Sequence, residues 1–312
     1  MTKLLVTGAS GLLGSNLVFE ATRQQEVIAL SHTHPVRFEG AEVVRADLSL
    51  AENVMRVIRQ FSPDWVVHCA AETNVDRCEM DPERAFLLNR DIPRWVAQAT
   101  RVSGGRMIHI STDAVFDGSR SGYQEEDVPQ PINVYSRSKL EGELAVREED
   151  PRAMILRTNF FGWSALDKMS LAEWFLAHLE EGRSCRGFTD VFVKLLLVND
   201  LVQLLLRMME SECEGIYHVV GRDCVSKYDF GVRLAQVFQL DEKWILPVKV
   251  DQLGLIAPRA RNLCLDTSKI SNMLDMEMPS LEEGLRRFYE LKQRGYPERL
   301  KSLIGEQNNE GN

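Results

Sequence analysis

The sequence predicts an α/β chain, a doubly wound parallel sheet followed by a smaller mixed α/β cap. Three observations carry this prediction. Short β-branched runs alternate with helical patterns through the first half. A glycine-rich turn joins the first strand to the first helix. After Thr158 the alternation loosens into helices separated by short strands. Strict β-α-β alternation implies right-handed crossovers, with helices on both faces of a parallel sheet.

Taken in order, Lys3–Thr7 reads as a strand, Leu12–Thr22 as an amphipathic helix, and Glu26–Leu30 and Glu42–Ala46 as strands. Apolar residues at helical spacing predict a helix over Leu50–Phe61, stopped by Ser62-Pro63-Asp64. The nearly all-apolar run Asp64–Ala70 fits a strand buried on both faces. A helical stretch follows, with Pro82 and Pro93 in first-turn positions. Arg106–Ser111 and Ala153–Thr158 read as further strands. Beyond them, helices are expected at Leu171–Glu181, Asp200–Met209 and Lys227–Gln239, and short strands near Gly215–Val220 and Trp244–Val248. Ser280 and Glu283 form a capping box that opens a last helix near Leu281–Lys292. The polar tail after Gly305 is expected to fray.

Composition narrows the function. The chain has 312 residues, enough to bury roughly three quarters of its unfolded surface. With 44% hydrophobic and 27% charged residues it is neither disordered nor collagenous. Its 37 basic and 46 acidic side chains give a net charge of −9, which argues against nucleic acid as a partner. The greasiest stretch, Val191 to Val198, is short and contains Lys194, so no membrane span is expected. A strand-like run begins at Lys3, where the basic region of a signal would sit, so a cytoplasmic location is expected. The six cysteines are scattered without CxxC spacing and read as free thiols. His32 and His34 are the only close histidine pair, and an isolated pair near a turn reads as solvated, so no metal is expected.

The strand Lys3–Thr7 runs straight into Gly8-Ala9-Ser10-Gly11-Leu12-Leu13-Gly14. Gly8 permits a tight turn, Gly11 lets backbone N–H groups approach a pyrophosphate, and Gly14 lets helix and strand pack closely. Phosphates would then sit at the positive end of the helix. This is the pattern of a Rossmann-type dinucleotide fold. Residues 1–158 are accordingly expected to form the dinucleotide-binding unit, with a catalytic helix over 133–149. Residues 159–300 are expected to supply mainly a substrate-binding cap, some of whose segments return to the first unit, and 301–312 a polar tail. An acidic residue at the end of the second strand would bind a ribose 2′-hydroxyl. Here Ser31 and His32 stand instead, with Arg37 close by and no carboxylate before Glu39, so NADP(H) is favoured and NAD(H) is the alternative. Asp47 and Leu48, after the third strand, are candidates to meet the adenine amino group and face.

Tyr135 and Lys139 lie four residues apart at the start of a helix and so share one face. A lysine ammonium beside a phenol, together with a cationic ring, would bring the phenol's pKa down from near 10 toward a working range. Ligands in such sheets bind at the carboxyl ends of the strands, where Ser111-Thr112-Asp113 stands. Thr112 is the candidate to bond a carbonyl oxygen, with Ser111 turned inward.

Together these segments resemble the extended short-chain dehydrogenase/reductase superfamily, and within it the dTDP-4-dehydrorhamnose reductase (RmlD-like) family. Thr7 to Gly14 is similar to the family's phosphate turn, and His68 to Glu79 to its segment after the fourth strand. Ser111 to Gly118 resembles its signature at the end of strand five. Pro131 to Tyr135 with Ser138 to Glu143 resembles its catalytic helix. Arg157-Thr158 and the stretch Arg259…Asn262…Leu265-Asp266 resemble later landmarks, so the likeness covers nearly the whole chain. Ala114 departs from it, standing where the family usually has tyrosine.

The resemblance implies that Tyr135 donates a proton, that Lys139 supports it and holds the nicotinamide ribose, and that Thr112 meets the carbonyl oxygen. It implies cofactor contacts at Gly8, Ser10, Gly11, Leu12, Leu13, Ala70, Ala71, Thr73, Asn89 and Ser111. It implies a nucleoside-diphosphate sugar near Thr73, Val75, Asp113, Phe160, Phe161 and Arg259. The reading is an NAD(P)H-dependent reductase of a 4-keto nucleotide sugar. An epimerase or dehydratase of the same superfamily, and an NADP-binding regulatory subunit without turnover, are the alternatives. The long helices leave room for a homodimer.

Overall fold

The computed structural model describes residues 1–211 and 213–304. The chain runs β1 (Lys3–Thr7), α1 (Leu12–Ala21), β2 (Glu26–Ser31), β3 (Ala41–Arg45), α2 (Ala51–Phe61) and β4 (Trp65–His68). It continues with α3 (Val75–Met80), α4 (Pro82–Phe86), a π turn over Leu87–Asp91, α5 (Ile92–Val102), β5 (Arg106–Thr112), α6 (Val134–Glu149) and β6 (Met154–Thr158). The later elements are β7 (Phe160–Phe161), α7 (Leu171–Glu180), β8 (Cys185–Phe188), β9 (Phe192–Lys194), β10 (Leu196–Leu197), α8 (Val198–Met209) and β11 (Gly215–Val219). After these come β12 (Cys224–Ser226), α9 (Lys227–Val237), β13 (Ile245–Val248), β14 (Asn262–Leu263), α10 (Ser268–Leu274), α11 (Leu281–Gln293) and α12 (Tyr296–Lys301).

Seven strands form one sheet in the order β11-β6-β5-β4-β1-β2-β3, and every neighbouring pair is parallel. Its direction of winding reverses between β1 and β4, which opens a crevice at their carboxyl ends. Side chains alternate between the two faces, as the pleat requires. Leu4 and Val6 of β1 pack in one core with Leu17 of α1 and Leu201 of α8. Leu5, between them, packs in another with Val54 of α2 and Val96 of α5. A third core, built on Phe161, Phe175, Phe230 and Phe288, lies under the short strands and later helices. The edge strand β11 is reached only after the intervening short strands, yet pairs with β6 from Gly215↔Met154 to Val219↔Thr158.

The path from α4 to α5 explains Pro93. The π turn joins the two helices without a break, and Pro93 follows one residue into α5. A proline N–H is missing, so the carbonyl of Asn89, four residues earlier, loses its regular partner. Gly142 of α6 closes on that carbonyl: a Cβ there would stand 2.0 Å from the Asn89 oxygen.

Two expectations need correcting. The cysteines are not all free, because Cys224 and Cys264 form a disulfide, their Cα atoms 5.6 Å apart across 40 residues of sequence. Tertiary contact brings them together, since Cys224 opens β12 and Cys264 follows β14, and both strands flank β9. The strand read over Asp64–Ala70 ends at His68, because Ala70 turns its N–H to the Thr7 hydroxyl at 3.3 Å and leaves the sheet. The frayed tail expected after Gly305 lies outside the described residues. Among the described residues no helix is long and apolar enough to cross a membrane.

Candidate active site

The glycine turn has the shape that a dinucleotide needs. Gly8 adopts φ +65°, and a Cβ there would meet the main-chain nitrogen of Ala70 at 2.8 Å. A Cβ at Gly14 would stand 2.2 Å from the Gly8 oxygen. Both positions therefore need glycine on steric grounds. Helix α1 opens at Gly11 with no side-chain cap and no acidic residue in its first turn. Its first N–H groups are left to an outside acceptor, and the helix dipole favours an anion there.

From this turn a cavity of about 610 Å³ runs along the carboxyl ends of β1, β4 and β5 toward the later strands. Gly11, Leu12, Leu13, Ala71 and Thr73 line one end, and Thr112, Tyr135 and Lys139 line its middle. Val75, Asp113, Phe160 and Arg259 lie along the same walls. Gly8, Ser10 and Ala70 are not among its lining residues. Ser31, His32, Arg37, Asp47 and Leu48 lie outside it, at or beyond the ends of β2 and β3. His32 and Arg37 are exposed there, and Asp47 accepts the Ser49 N–H at 2.9 Å.

Tyr135 reaches the cavity because Asn133 caps α6, its side chain accepting the Ser136 N–H at 2.8 Å. One turn later the Lys139 ammonium donates to the Ile110 carbonyl at 2.7 Å and lies 3.5 Å from His109 Nε2. Burial pushes Lys139 down to about 8. The phenol does not behave as its spacing from Lys139 suggests. Burial pushes Tyr135 up to about 12, Asp113 and Cys78 push it further, and only hydrogen bonding to Thr112 pulls the other way. The side chain is held as a protonated phenol, a donor rather than a base.

Behind these groups is a buried polar brace. Glu143, one turn beyond Lys139, accepts the Ser111 hydroxyl at 2.5 Å and the Arg157 guanidinium at 2.8 Å. Arg157 is itself buried, its guanidinium 5.1 Å from the Phe116 ring centre. This pins β5 and β6 to α6, the elements that carry Thr112 and Tyr135.

Two of the expected contact residues do other work. Asn89 is fully buried and does not line the cavity. Its amide bonds the main chain of Glu72 in both directions, each at 3.0 Å, and donates to the Ser138 hydroxyl at 2.9 Å. It positions the wall instead of touching a ligand. Phe161 is fully buried against Phe230 and Phe288, ring centres 5.3 and 5.7 Å away, so it is core. Arg259 faces the cavity, but its guanidinium is already engaged with Asp76 at 2.9 Å and the Ala257 carbonyl at 2.8 Å.

Other residues of the wall gave no signal in the sequence. Lys168 crosses to Thr73, donating to its hydroxyl at 2.8 Å. Lys227 enters from the start of α9, and Asn159 donates to Asp113 Oδ2 at 2.7 Å. Lys168 and Asn159 come from segments without periodicity, and the helical pattern that Lys227 opens does not reveal its partners, so only folding assembles them.

Residues 1–294 match the family described as RmlD substrate binding domain. The fold is that of an extended short-chain dehydrogenase/reductase, and the chain belongs to this RmlD family. Among its relatives is a protein of Haloferax volcanii named probable low-salt glycan biosynthesis reductase Agl14, 34% identical over 90% of this chain and 95% of that one. Methionine adenosyltransferase 2 subunit beta of Pongo abelii is 31% identical over 87% of this chain and 82% of its own. A crystal structure of dTDP-4-dehydrorhamnose reductase from Bacillus anthracis in complex with NADP superposes with a TM-score of 0.83 at 27% identity, covering 93% of this chain and 99% of that one.

Proposed function

We propose that the chain is an NADP(H)-dependent reductase of a 4-keto nucleotide sugar. The observation that carries this is the single cavity that joins an uncapped, glycine-cradled helix end to a protonated phenol beside a hydroxyl. The glycine turn would hold a dinucleotide's phosphates, and Ser31, His32 and Arg37 would surround its adenosine end, with Asp47 and Leu48 at the base. The relative solved with NADP supports that choice of cofactor, with NAD(H) the alternative. When bound, the cofactor supplies the hydride.

The chain's own residues do the rest. Thr112 holds the carbonyl oxygen, and Tyr135 delivers the proton to it as negative charge develops. Lys139 places positive charge behind the phenol and would hold the nicotinamide ribose. Fixing these groups before reaction supplies rate through orientation and electrostatics. Lys168 and Lys227 line the cavity and give it an excess of positive charge over Asp113, Arg259 being paired with Asp76, which suits a nucleoside diphosphate.

Purified protein with NADPH and a panel of 4-keto nucleotide sugars tests the reading. One NADPH consumed per sugar reduced is expected. An epimerase would leave NADPH absorbance unchanged. The relatives named methionine adenosyltransferase subunit beta support a second reading, a cofactor-bound regulatory protein. Binding of NADP without reduction of any keto sugar would favour it.

A further inference from the structure

NADP(H) differs from NAD(H) at one place, the 2′-carbon of the adenosine ribose, which in a fold of this kind is read at the carboxyl end of the second strand. There β2 and β3 end side by side. Ser31 is the register partner of Arg45, and the Ala46 N–H donates to the Ser31 carbonyl at 2.9 Å. The Arg45 side chain turns back over β2, where its Nε donates to the His32 carbonyl at 3.1 Å. That bond anchors the exposed guanidinium and leaves its Nη donors unspent. Among the described residues no carboxylate is paired with Arg45, so those donors are open to an outside anion. Asp47, on the same rim, is engaged with other groups: its Oδ1 accepts the Ser49 N–H at 2.9 Å and lies 4.0 Å from His32 Nε2. Arg37 is carried on a different seam. Its N–H donates to the Leu303 carbonyl at 2.6 Å, and Val36 beside it bridges to Ile304.

We propose that Arg45, rather than Arg37, is the residue that selects NADP(H), its Nη groups gripping the 2′-phosphate across the ends of β2 and β3. The inference rests on the dinucleotide reading above and names the side chain that makes the choice of cofactor. A guanidinium offers a phosphate a planar pair of donors, and such charge-assisted bonds are roughly twice as strong as neutral ones. The bond from Nε to the His32 main chain fixes the plane of the group beforehand, so less side-chain freedom is lost on binding. A 2′-hydroxyl carries no charge, so NAD(H) gains little from the same group. Along the chain Arg45 is far from Ser31 and His32, and the register of β2 on β3 is what brings it beside them.

Isothermal titration of the whole chain with adenosine 2′,5′-bisphosphate and with 5′-AMP tests this without any turnover. Wild type should hold the bisphosphate the tighter of the two. Arg45→Gln should weaken the bisphosphate about 10- to 100-fold, the worth of hydrogen bonds to a charged group, and keep 5′-AMP within about twofold. Arg45→Lys keeps the charge but not the fork, and should fall between them. The wild-type preference should shrink as salt rises, and that of Arg45→Gln should respond less. A purely structural Arg45 would weaken both ligands alike, and that result would overturn the proposal. So would a larger loss of bisphosphate affinity in Arg37→Gln than in Arg45→Gln. Wild type that holds the bisphosphate no tighter than 5′-AMP would also overturn it, while leaving a reductase that uses NADH. Selectivity that follows Arg45 in a protein that reduces no keto sugar would support the proposal and count against the reductase reading alone.

Discussion

The carbonyl oxygen of Asn89 and Gly142 of α6 are in such close contact that a Cβ at Gly142 would stand 2.0 Å from that oxygen. Pro93 frees the carbonyl, the π turn displaces it, and the bare glycine lets α6 settle on it. Tyr135 and Lys139 lie on the same helix, so this contact sets their depth in the cavity. Gly142→Ala must push α6 away from the π turn. A loss of about 1–3 kcal/mol in urea unfolding is expected, as for other overpacked sites, with reduced turnover. Unchanged stability and activity would show that the contact does not hold the helix.

Glu143 and Arg157 form a buried ion pair at 2.8 Å. Removing one partner leaves a charge without compensation, which typically costs about 3–5 kcal/mol. Glu143→Leu should lose about that much in chemical denaturation. The pair with Arg157→Leu as well should recover part of it. A single variant as stable as wild type would contradict the brace.

Much of this arrangement is legible in the sequence, for physical reasons. Leu4, Leu5 and Val6 announce a strand buried on both faces, and glycines at 8 and 14 are forced by sterics that any side chain would violate. The four-residue spacing of Tyr135 and Lys139 places them on one helix face before any coordinates are known. Other features depend on distant contacts. Strands such as Phe160–Phe161 and Asn262–Leu263 are two residues long, too short for a period. The disulfide joins residues that share no motif, and Phe161 could be told from a ligand contact only once Phe230 and Phe288 surrounded it. The upward shift of the Tyr135 pKa also resisted prediction, because burial dominates it.

Acid should destabilise the protein through its buried histidines. Burial holds His68 and His218 at about 3 and His109 well below its ordinary value. Near pH 6 all three are neutral when folded, whereas in the unfolded chain they bind protons around 6.5. The unfolded state therefore carries more protons, and stability falls as pH drops through 6.5, by up to about 1.4 kcal/mol per unit for each histidine. Asp113 opposes this from about pH 6 downward, since its folded carboxyl keeps a proton that the unfolded one loses. Urea midpoints should fall between pH 7.5 and 6. A flat or rising midpoint would contradict the neutral histidines.

Closing a loop of 40 residues with Cys224–Cys264 should stabilise the fold by about 4 kcal/mol on a chain-entropy account. Dithiothreitol, or replacement of both cysteines by serine, should lower the melting temperature. An identical melting temperature in reduced and oxidised protein would mean that the bond constrains nothing.

Tyr135→Phe bears most directly on the central claim, because it removes one oxygen and keeps the ring. Steady-state reduction of the 4-keto sugar should fall about 10²- to 10⁴-fold, the usual contribution of a positioned acid. NADPH affinity, measured by fluorescence titration, should stay within about threefold of wild type. Turnover at the wild-type rate with that oxygen gone would contradict the assignment of Tyr135 as the proton donor.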